Sequence, residues 1–296
     1  MCYSVGNCKE SGREKPMHKC RICGWMGNTA TIKVREMMQN TREEFEYFEC
    51  GNCHCLQIGK VPVDLYKYYG TDYYSYQQLK ENKQSNVYDV DKTRILDVGC
   101  GSGAFLCGLA NMGFVNLVGC DPFIENDVKY QNGVKIYKKT IHEMSGEYDW
   151  IYLNDSFEHV QDPHEVMESI KCLLSPNGIA RIKLPVYPNI AYDMFEENWY
   201  QIDAPRHLFL HTKESLEYLA KEHKLCIVKR EYDSGKMQIV RSFLYSQGIP
   251  FWEQTEEVVE RFFSKEELSN IEESCQIANQ NEYGDHAVFY FMHISV

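Results

Sequence analysis

The sequence lacks any run of about 18 apolar residues, the length a membrane-spanning helix requires, and its N-terminus carries charges and cysteines where a secretory leader would be apolar. The expectation is a cytoplasmic chain without a membrane span. A basic excess is also missing: 31 Lys and Arg face 43 Asp and Glu, for a formal net charge of −12. That balance argues against a dedicated nucleic-acid binder, which presents a basic face. No internal repeat or low-complexity segment breaks the chain. Nor do the 13 cysteines form a disulfide pattern, being odd in number and partly placed inside apolar strand-like and helix-like segments. They read as reduced thiols plus one metal site.

What is present suits an ordinary globular protein. With 296 residues, 44% apolar and 25% charged, the chain can hold one full α/β domain and a smaller module. The smaller module is read at residues 1–61. Cys20-Arg21-Ile22-Cys23 and Cys50-Gly51-Asn52-Cys53 are two C-x-x-C knuckles with 26 residues between them. Each offers two thiolates from one tight turn, and together they make a closed four-sulfur set suited to structural zinc. A redox C-x-x-C would explain one pair and leave the other without a reason. Thr31 to Val34 and Phe45 to Phe48 read as short strands of a zinc ribbon, with His54 and Cys55 as spare donors. Residues 62–90 are a tyrosine-rich connector containing Tyr69, Tyr73 and Tyr74, whose rings either line a pocket or pack the module onto the main domain.

The main domain, residues 91–296, is organised around Arg94-Ile-Leu-Asp-Val-Gly-Cys-Gly-Ser-Gly-Ala-Phe-Leu106. An apolar strand ends at an acid, turns through Gly99, Cys100, Gly101 and Gly103, and restarts as a helix, the pattern of a nucleoside-type cofactor site. Gly99, Gly101 and Ala104 also satisfy the dinucleotide pattern G-x-G-x-x-G/A. Asp97 separates the two readings. An uncompensated carboxylate repels a pyrophosphate and attracts the ammonium and sulfonium groups of S-adenosyl-L-methionine by several kcal/mol in a partly buried site. The methyl donor is therefore favoured over NAD.

Strand and helix then alternate as in a doubly wound sheet. Strands are expected at Val115 to Gly119, Val134 to Tyr137, Trp150 to Asn154, Ile179 to Leu184, Leu225 to Tyr232 and His286 to Ser295. Asp121 follows the glycines at the distance where an acid meets ribose hydroxyls; capping of a helix after Pro122 is the alternative. Asn154 and Asp155 fall at a carboxyl end of the sheet. Residues 236–283 are a helical, acidic excursion before the last strand, serving as a lid or an interface.

The LDVGCGSG segment resembles the first motif of class I S-adenosylmethionine-dependent methyltransferases. Phe157-Glu-His-Val-Gln-Asp-Pro163 and Leu-Leu-Ser-Pro-Asn-Gly178 resemble segments of the ubiquinone O-methyltransferase group, and Pro205-Arg-His-Leu208 resembles the segment that such enzymes place over the acceptor. The resemblance implies a Rossmann-like, mostly parallel seven-stranded sheet with the last strand antiparallel. It implies a cofactor held by Asp97, Gly99, Cys100, Gly101, Gly103, Asp121, Pro122, Asn154 and Asp155, with Tyr69, Tyr73 and Tyr74 over it. It also implies a divalent ion at Asp155, Glu158 and His159, against which stands a loop merely oriented by hydrogen bonds. His207 is the candidate general base, its imidazole titrating near neutrality; His159 stands beside it, and Arg206 is the candidate for an acidic acceptor group.

The expected activity is transfer of a methyl group to a small-molecule or glycan hydroxyl. The zinc module resembles that of sugar- and polysaccharide-tailoring methyltransferases, which makes a nucleotide sugar or polysaccharide precursor the first acceptor class and a phenolic or lipid-like hydroxyl the second. A non-catalytic cofactor-binding scaffold with a docking ribbon and an NAD-dependent oxidoreductase are the rivals. The oligomeric state is left open.

Overall fold

Paired cysteines close two tight turns, and short strands grow from them. In the computed structural model, which describes residues 15–69 and 91–294, β1 (Met17–Lys19) and β2 (Met26–Asn28) form an antiparallel hairpin around the first knuckle. β3 (Thr31–Arg35), β4 (Glu44–Glu49) and β5 (Leu56–Ile58) form an antiparallel meander, with the second knuckle between β4 and β5. Tyr73 and Tyr74 lie outside the described residues.

The larger sheet begins at β6 (Arg94–Val98), followed by α1 (Ala104–Asn111), β7 (Asn116–Cys120), β8 (Val128–Lys129), β9 (Lys135–Tyr137) and β10 (Tyr148–Asn154). Next come α2 (Pro163–Leu173), β11 (Leu174–Pro185), α3 (Ile190–Phe195), β12 (Phe209–Leu210), α4 (Lys213–Glu222) and β13 (Leu225–Tyr232). Helices α5 (Lys236–Ser246), α6 (Glu256–Phe262) and α7 (Lys265–Gln280) precede β14 (His286–His293). The spatial order is β13-β14-β11-β10-β6-β7-β9-β8. β6 pairs in parallel with both β7 and β10, so the chain runs outward on one side and then crosses to the other. The crevice at the carboxyl ends of β6 and β10 is thus a topological switch point, where open α/β sheets bind ligands. β14 runs antiparallel between β11 and β13, as the sequence resemblance implied.

Eight strands stand where seven were expected. After Pro122 the chain makes a turn rather than a helix, and β8 pairs antiparallel on the edge of β9. The Ser175-Pro176-Asn177-Gly178 break lies within β11, where the pairing register jumps from Tyr148↔Leu174 to Trp150↔Ile179. Helix starts follow their caps: Asp162 Oδ1 accepts from the backbone N–H of His164 and Glu165, and Thr212 Oγ1 from that of Ser215.

The two sheets share one core. β12 pairs antiparallel with β5, so the ribbon sheet, in the order β12-β5-β4-β3, takes its fourth strand from the segment just after His207. Tyr47, Cys55, Leu56 and Ile58 are buried with Phe209, Leu210 and Leu216, and the same apolar cluster continues through Leu96, Ile151 and Phe289. Burying one such large side chain contributes about 1.5–3 kcal/mol, which ties the small module to the large one.

Candidate active site

The glycine turn is set by geometry that side chains do not permit. Gly99 has φ +72°, and a Cβ there would lie 2.6 Å from Ser156 Cβ; at Gly103, φ +76°, it would lie 2.1 Å from Ile136 Cδ1. The turn is fastened to the end of β7 by the Gly99 N–H donating to the Cys120 carbonyl at 2.8 Å. Asp121, at that strand end, accepts from the N–H of Gly101 at 2.9 Å and of Phe123 at 2.8 Å. Its carboxylate therefore fastens the glycine turn to the end of β7, a role that the capping alternative did not include. Cys100 lies in the turn, its thiol pKa raised by burial, and Pro122 is exposed just beyond.

Asp97 is buried at the end of β6. Desolvation first, and the Asp121 charge second, push its carboxyl up to about 8, while Arg181 and a bond from Asn154 pull it down. Arg181 Nη1 in turn donates to Asn154 Oδ1 at 2.6 Å. Two acids thus flank the turn, an arrangement that gains from a cationic ligand.

Across the crevice, Ser156 Oγ donates to the Val98 carbonyl at 2.9 Å and brings the turn Phe157–His159 against the end of β6. Tyr69 bridges the two sides. Its ring stacks on Phe123 with centroids 5.5 Å apart, and its hydroxyl lies 3.1 Å from His159 Nδ1. His159 and His207 meet edge to face at 4.6 Å. His159 Nδ1 is 3.0 Å from the Arg206 carbonyl and His207 Nδ1 is 2.7 Å from the Gln201 carbonyl. A carbonyl only accepts, so each ring carries its proton on Nδ1 and a lone pair on Nε2. Burial lowers both imidazoles, His159 to about 3, and the rings are neutral.

Two expected site residues are engaged elsewhere. Arg206, fully buried, donates to Asp203 and to Glu36 Oε1 at 3.1 Å, and to the Tyr68 carbonyl at 3.1 Å. Its guanidinium is consumed by these partners and does not face an acceptor. Asp155, at φ +50°, places Oδ1 2.6 Å from His286 Nε2 instead of joining Glu158 and His159. Glu36, Asp203 and His286 were missed in the sequence. Glu36 and His286 carry one visible mark, a polar residue at the end of an apolar strand; Asp203 carries none.

The segment carrying His207 is gripped by the ribbon. Tyr47 Oη donates to the His207 carbonyl at 2.8 Å, Arg21 to the Leu208 carbonyl at 3.4 Å, and Thr212 Oγ1 to the Cys53 carbonyl at 2.6 Å. Behind it, the four knuckle sulfurs converge: Cys20 to Cys53 at 3.7 Å and Cys23 to Cys50 at 3.5 Å. A tetrahedron with bonds of about 2.3 Å to zinc has edges of about 3.8 Å, so the set fits the ion. N–H groups of Ile22, Asn52 and the Gln57 amide point at these sulfurs, as thiolates require. Hydrogen bonds to its sulfur, first from Cys53 and then from the Cys23 backbone and the Gln57 amide, lower the Cys20 thiol pKa. The spare donors stay out: Cys55 donates to the Leu210 carbonyl and His54 pairs with Glu49. None of the cysteines among the described residues is disulfide-bonded.

A sequence model of the family described as "Methyltransferase domain" matches residues 68–229. Ubiquinone biosynthesis O-methyltransferase of Rickettsia canadensis is 36% identical over 115 residues, 36% of this chain and 48% of that protein. The enzyme of the same name from Bordetella avium is 31% identical over 97 residues, 29% of this chain and 39% of that one. The chain thus spans just under half the length of the first of these relatives. Among solved structures, a putative sarcosine dimethylglycine methyltransferase from Galdieria sulphuraria aligns with TM-score 0.43 and 16% identity, over 68% of this chain and 78% of that one. The O-methyltransferase of a Brevibacillus brevis trans-AT PKS multienzyme, in complex with S-adenosyl-L-homocysteine, aligns with TM-score 0.42 and 16% identity, over 68% and 66%. Among the described residues no helix is long and apolar enough to cross a membrane.

Proposed function

Since the matched region covers the greater part of its length, the chain belongs to the methyltransferase-domain family, and from that premise we propose that it transfers the methyl group of S-adenosyl-L-methionine to a hydroxyl oxygen of a small molecule. The observation that carries this reading is the pair of acids, Asp97 and Asp121, on either side of a glycine turn at the switch point of the sheet. A cationic ligand there favours the ionised form of both acids, a gain that a pyrophosphate cannot supply. The cofactor, when bound, supplies an electrophilic methyl group.

The chain's own residues do the remaining work. Gly99 and Gly101 let the backbone come close to the ligand, and Asp97 answers its positive charge. Tyr69 and Phe123 close one wall. The acceptor hydroxyl lies on the Glu158, His159 and His207 side, where Nε2 lone pairs face inward. Alignment of oxygen and methyl is the main catalytic contribution in such a displacement: the O–CH3 bond forms as the S–CH3 bond breaks, sulfur keeps the electron pair, and the hydroxyl proton passes to the Nε2 lone pair of His207, the candidate base, and from there to solvent.

Oxygen as the acceptor atom is supported by the named relatives, which are O-methyltransferases. A glycan or nucleotide-sugar hydroxyl is the first acceptor class, resting on the four-cysteine module and its resemblance to sugar-tailoring enzymes; a phenol is second. Zinc in the four-cysteine set and a reducing, cytoplasmic setting complete the proposal. Calorimetry with S-adenosyl-L-homocysteine and with NADH tests it. Binding of the first and not the second is expected; the reverse overturns the reading. Mass spectrometry of extracts incubated with labelled cofactor then identifies the acceptor by a gain of one methyl.

A further inference from the structure

We propose that Glu36, on the ribbon, is a positioning residue of the active site: acting through Arg206, it sets Tyr69 against the cofactor crevice. What the crevice binds rests on the methyltransferase reading above.

Glu36 follows β3 and opens a turn that folds back onto its own carboxylate. Oε1 accepts from the N–H of Met38 at 2.9 Å and of Gln39 at 2.7 Å, and Oε2 from the N–H of Thr41 at 3.0 Å and the Thr41 hydroxyl at 3.2 Å. The helical excursion braces the same turn from outside, the Phe251 N–H donating to the Met37 carbonyl at 3.0 Å and Arg42 to the Gly248 carbonyl at 2.7 Å. A carboxylate held by so many donors has a fixed direction, and here it is directed at the large domain. Oε1 takes both Nη1 and Nη2 of Arg206 at 3.1 Å, and both residues are fully buried.

Arg206 passes the constraint on. Its five N–H donors meet five bonds: Nε and Nη2 to Asp203, Nη1 and Nη2 to Glu36, and Nη1 to the Tyr68 carbonyl at 3.1 Å. A planar fork held at every donor leaves the side chain one orientation and limits how far its own peptide can turn. The carbonyl of that peptide accepts from the Tyr69 hydroxyl at 3.5 Å and from His159 Nδ1 at 3.0 Å. Tyr69 is thus held at both ends by one residue, through the peptide before it and through its hydroxyl.

Two adjacent tyrosines divide the work. Tyr68 belongs to the ribbon: it is buried, its hydroxyl donates to Glu43, and its ring meets Phe45 edge to face with centroids 5.6 Å apart. Tyr69 belongs to the crevice, where its ring stacks on Phe123, two residues past Asp121. A displacement of the peptide between them is felt at the cofactor wall, and misplacement by about 1 Å is enough to impair a positioned site. A buried ion triad stabilises no better than packed apolar side chains of the same volume; what it adds is a fixed geometry.

The test is calorimetry with S-adenosyl-L-homocysteine on the full chain, prepared with zinc, in a cycle of Glu36→Gln, Tyr69→Ala and the double variant. Glutamine keeps the shape but turns an amide N–H2 toward the N–H donors of the turn, and Glu36→Gln should weaken binding about tenfold. Because Tyr69→Ala removes the group acted upon, the double variant should bind as weakly as Tyr69→Ala and no weaker. A Glu36 that merely supports the fold gives losses that multiply. Should Glu36→Gln not fold, Thr41→Val takes its place in the cycle: it removes one bond to Oε2 at the exposed end of the turn, with an expected loss of about threefold. Losses that multiply overturn the inference, as does wild-type affinity in the folded variant. Binding by the wild type with either of those outcomes removes the positioning role and leaves the methyltransferase; a wild type that does not bind removes both.

Discussion

Nε2 of His286 stands 2.6 Å from Oδ1 of Asp155. Nδ1 of the same ring is 2.7 Å from Asp233 Oδ1, and Lys183 Nζ is 2.7 Å from the other oxygen of Asp233. A ring that meets a carboxylate at each nitrogen donates twice and is an imidazolium. Burial opposes that charge, but the bonds to Asp155 and Asp233 outweigh it and hold the ring at about 10, above its ordinary 6.5. The clamp joins the end of β10, where Asp155 sits at φ +50°, to the start of β14.

The clamp makes stability depend on alkaline pH. The folded chain holds this proton more tightly than the unfolded chain, so the contribution is complete below pH 6.5 and is lost as pH rises toward about 10. Urea unfolding of the wild type should show a midpoint that falls across that window, and His286→Gln should lack that part of the fall. A wild-type midpoint that does not move there contradicts the imidazolium.

Asp97 should report the arrival of the cofactor. Desolvation and the Asp121 charge hold its carboxyl at about 8, so near neutrality it keeps its proton. A ligand ammonium beside it favours the carboxylate, and binding of S-adenosyl-L-homocysteine near pH 7 should release a proton. Calorimetric enthalpies measured in buffers of different ionisation heat should therefore differ for the wild type and converge for Asp97→Asn. Equal enthalpies in the wild type would place the ligand charge away from Asp97.

Arg206 acts on stability rather than on the acceptor. Arg206→Met strands Glu36 and Asp203, both buried, without their partner. Breaking a buried ion pair from one side costs about 3–5 kcal/mol, which denaturant titration would register. An equally stable variant with weakened acceptor binding would return the guanidinium to the acceptor site.

The ribbon and the His207 segment should loosen together. Because β12 pairs with β5 and Thr212 holds the Cys53 carbonyl, loss of the sulfur cluster withdraws support from both. In Cys50→Ser, hydrogen exchange of the peptide spanning Asp203 to Thr212 should accelerate along with that of β4 and β5. Exchange confined to the knuckles would show that the segment is held by the large sheet alone.

Some of this was plain from residue spacing. The two C-x-x-C pairs each define a turn by themselves, and the glycine turn after Val98 follows from backbone conformations that only glycine adopts freely. The run of apolar strands gave the doubly wound sheet for the same reason: periodicity is a property of a few neighbouring residues. The extra edge strand β8 was too short and too exposed to leave such a trace.

The fate of the charged groups was not written locally. Arg206 and Asp155 were placed at the site by their neighbours in sequence, yet Arg206 is neutralised by Asp203, three residues back, together with Glu36, 170 positions away, and Asp155 by His286, 131 positions away. Whether a carboxylate or guanidinium faces a ligand depends on which partners the fold brings within about 3 Å, and no spacing rule covers such distances along the chain. Short-range pattern was enough for the methyl-donor turn and the sulfur cluster. Tertiary packing set His207 beside Glu158 and His159: the ribbon pairs with β12 just after it and Leu208 N–H donates to the Glu158 carbonyl, contacts that join residues more than 40 positions apart.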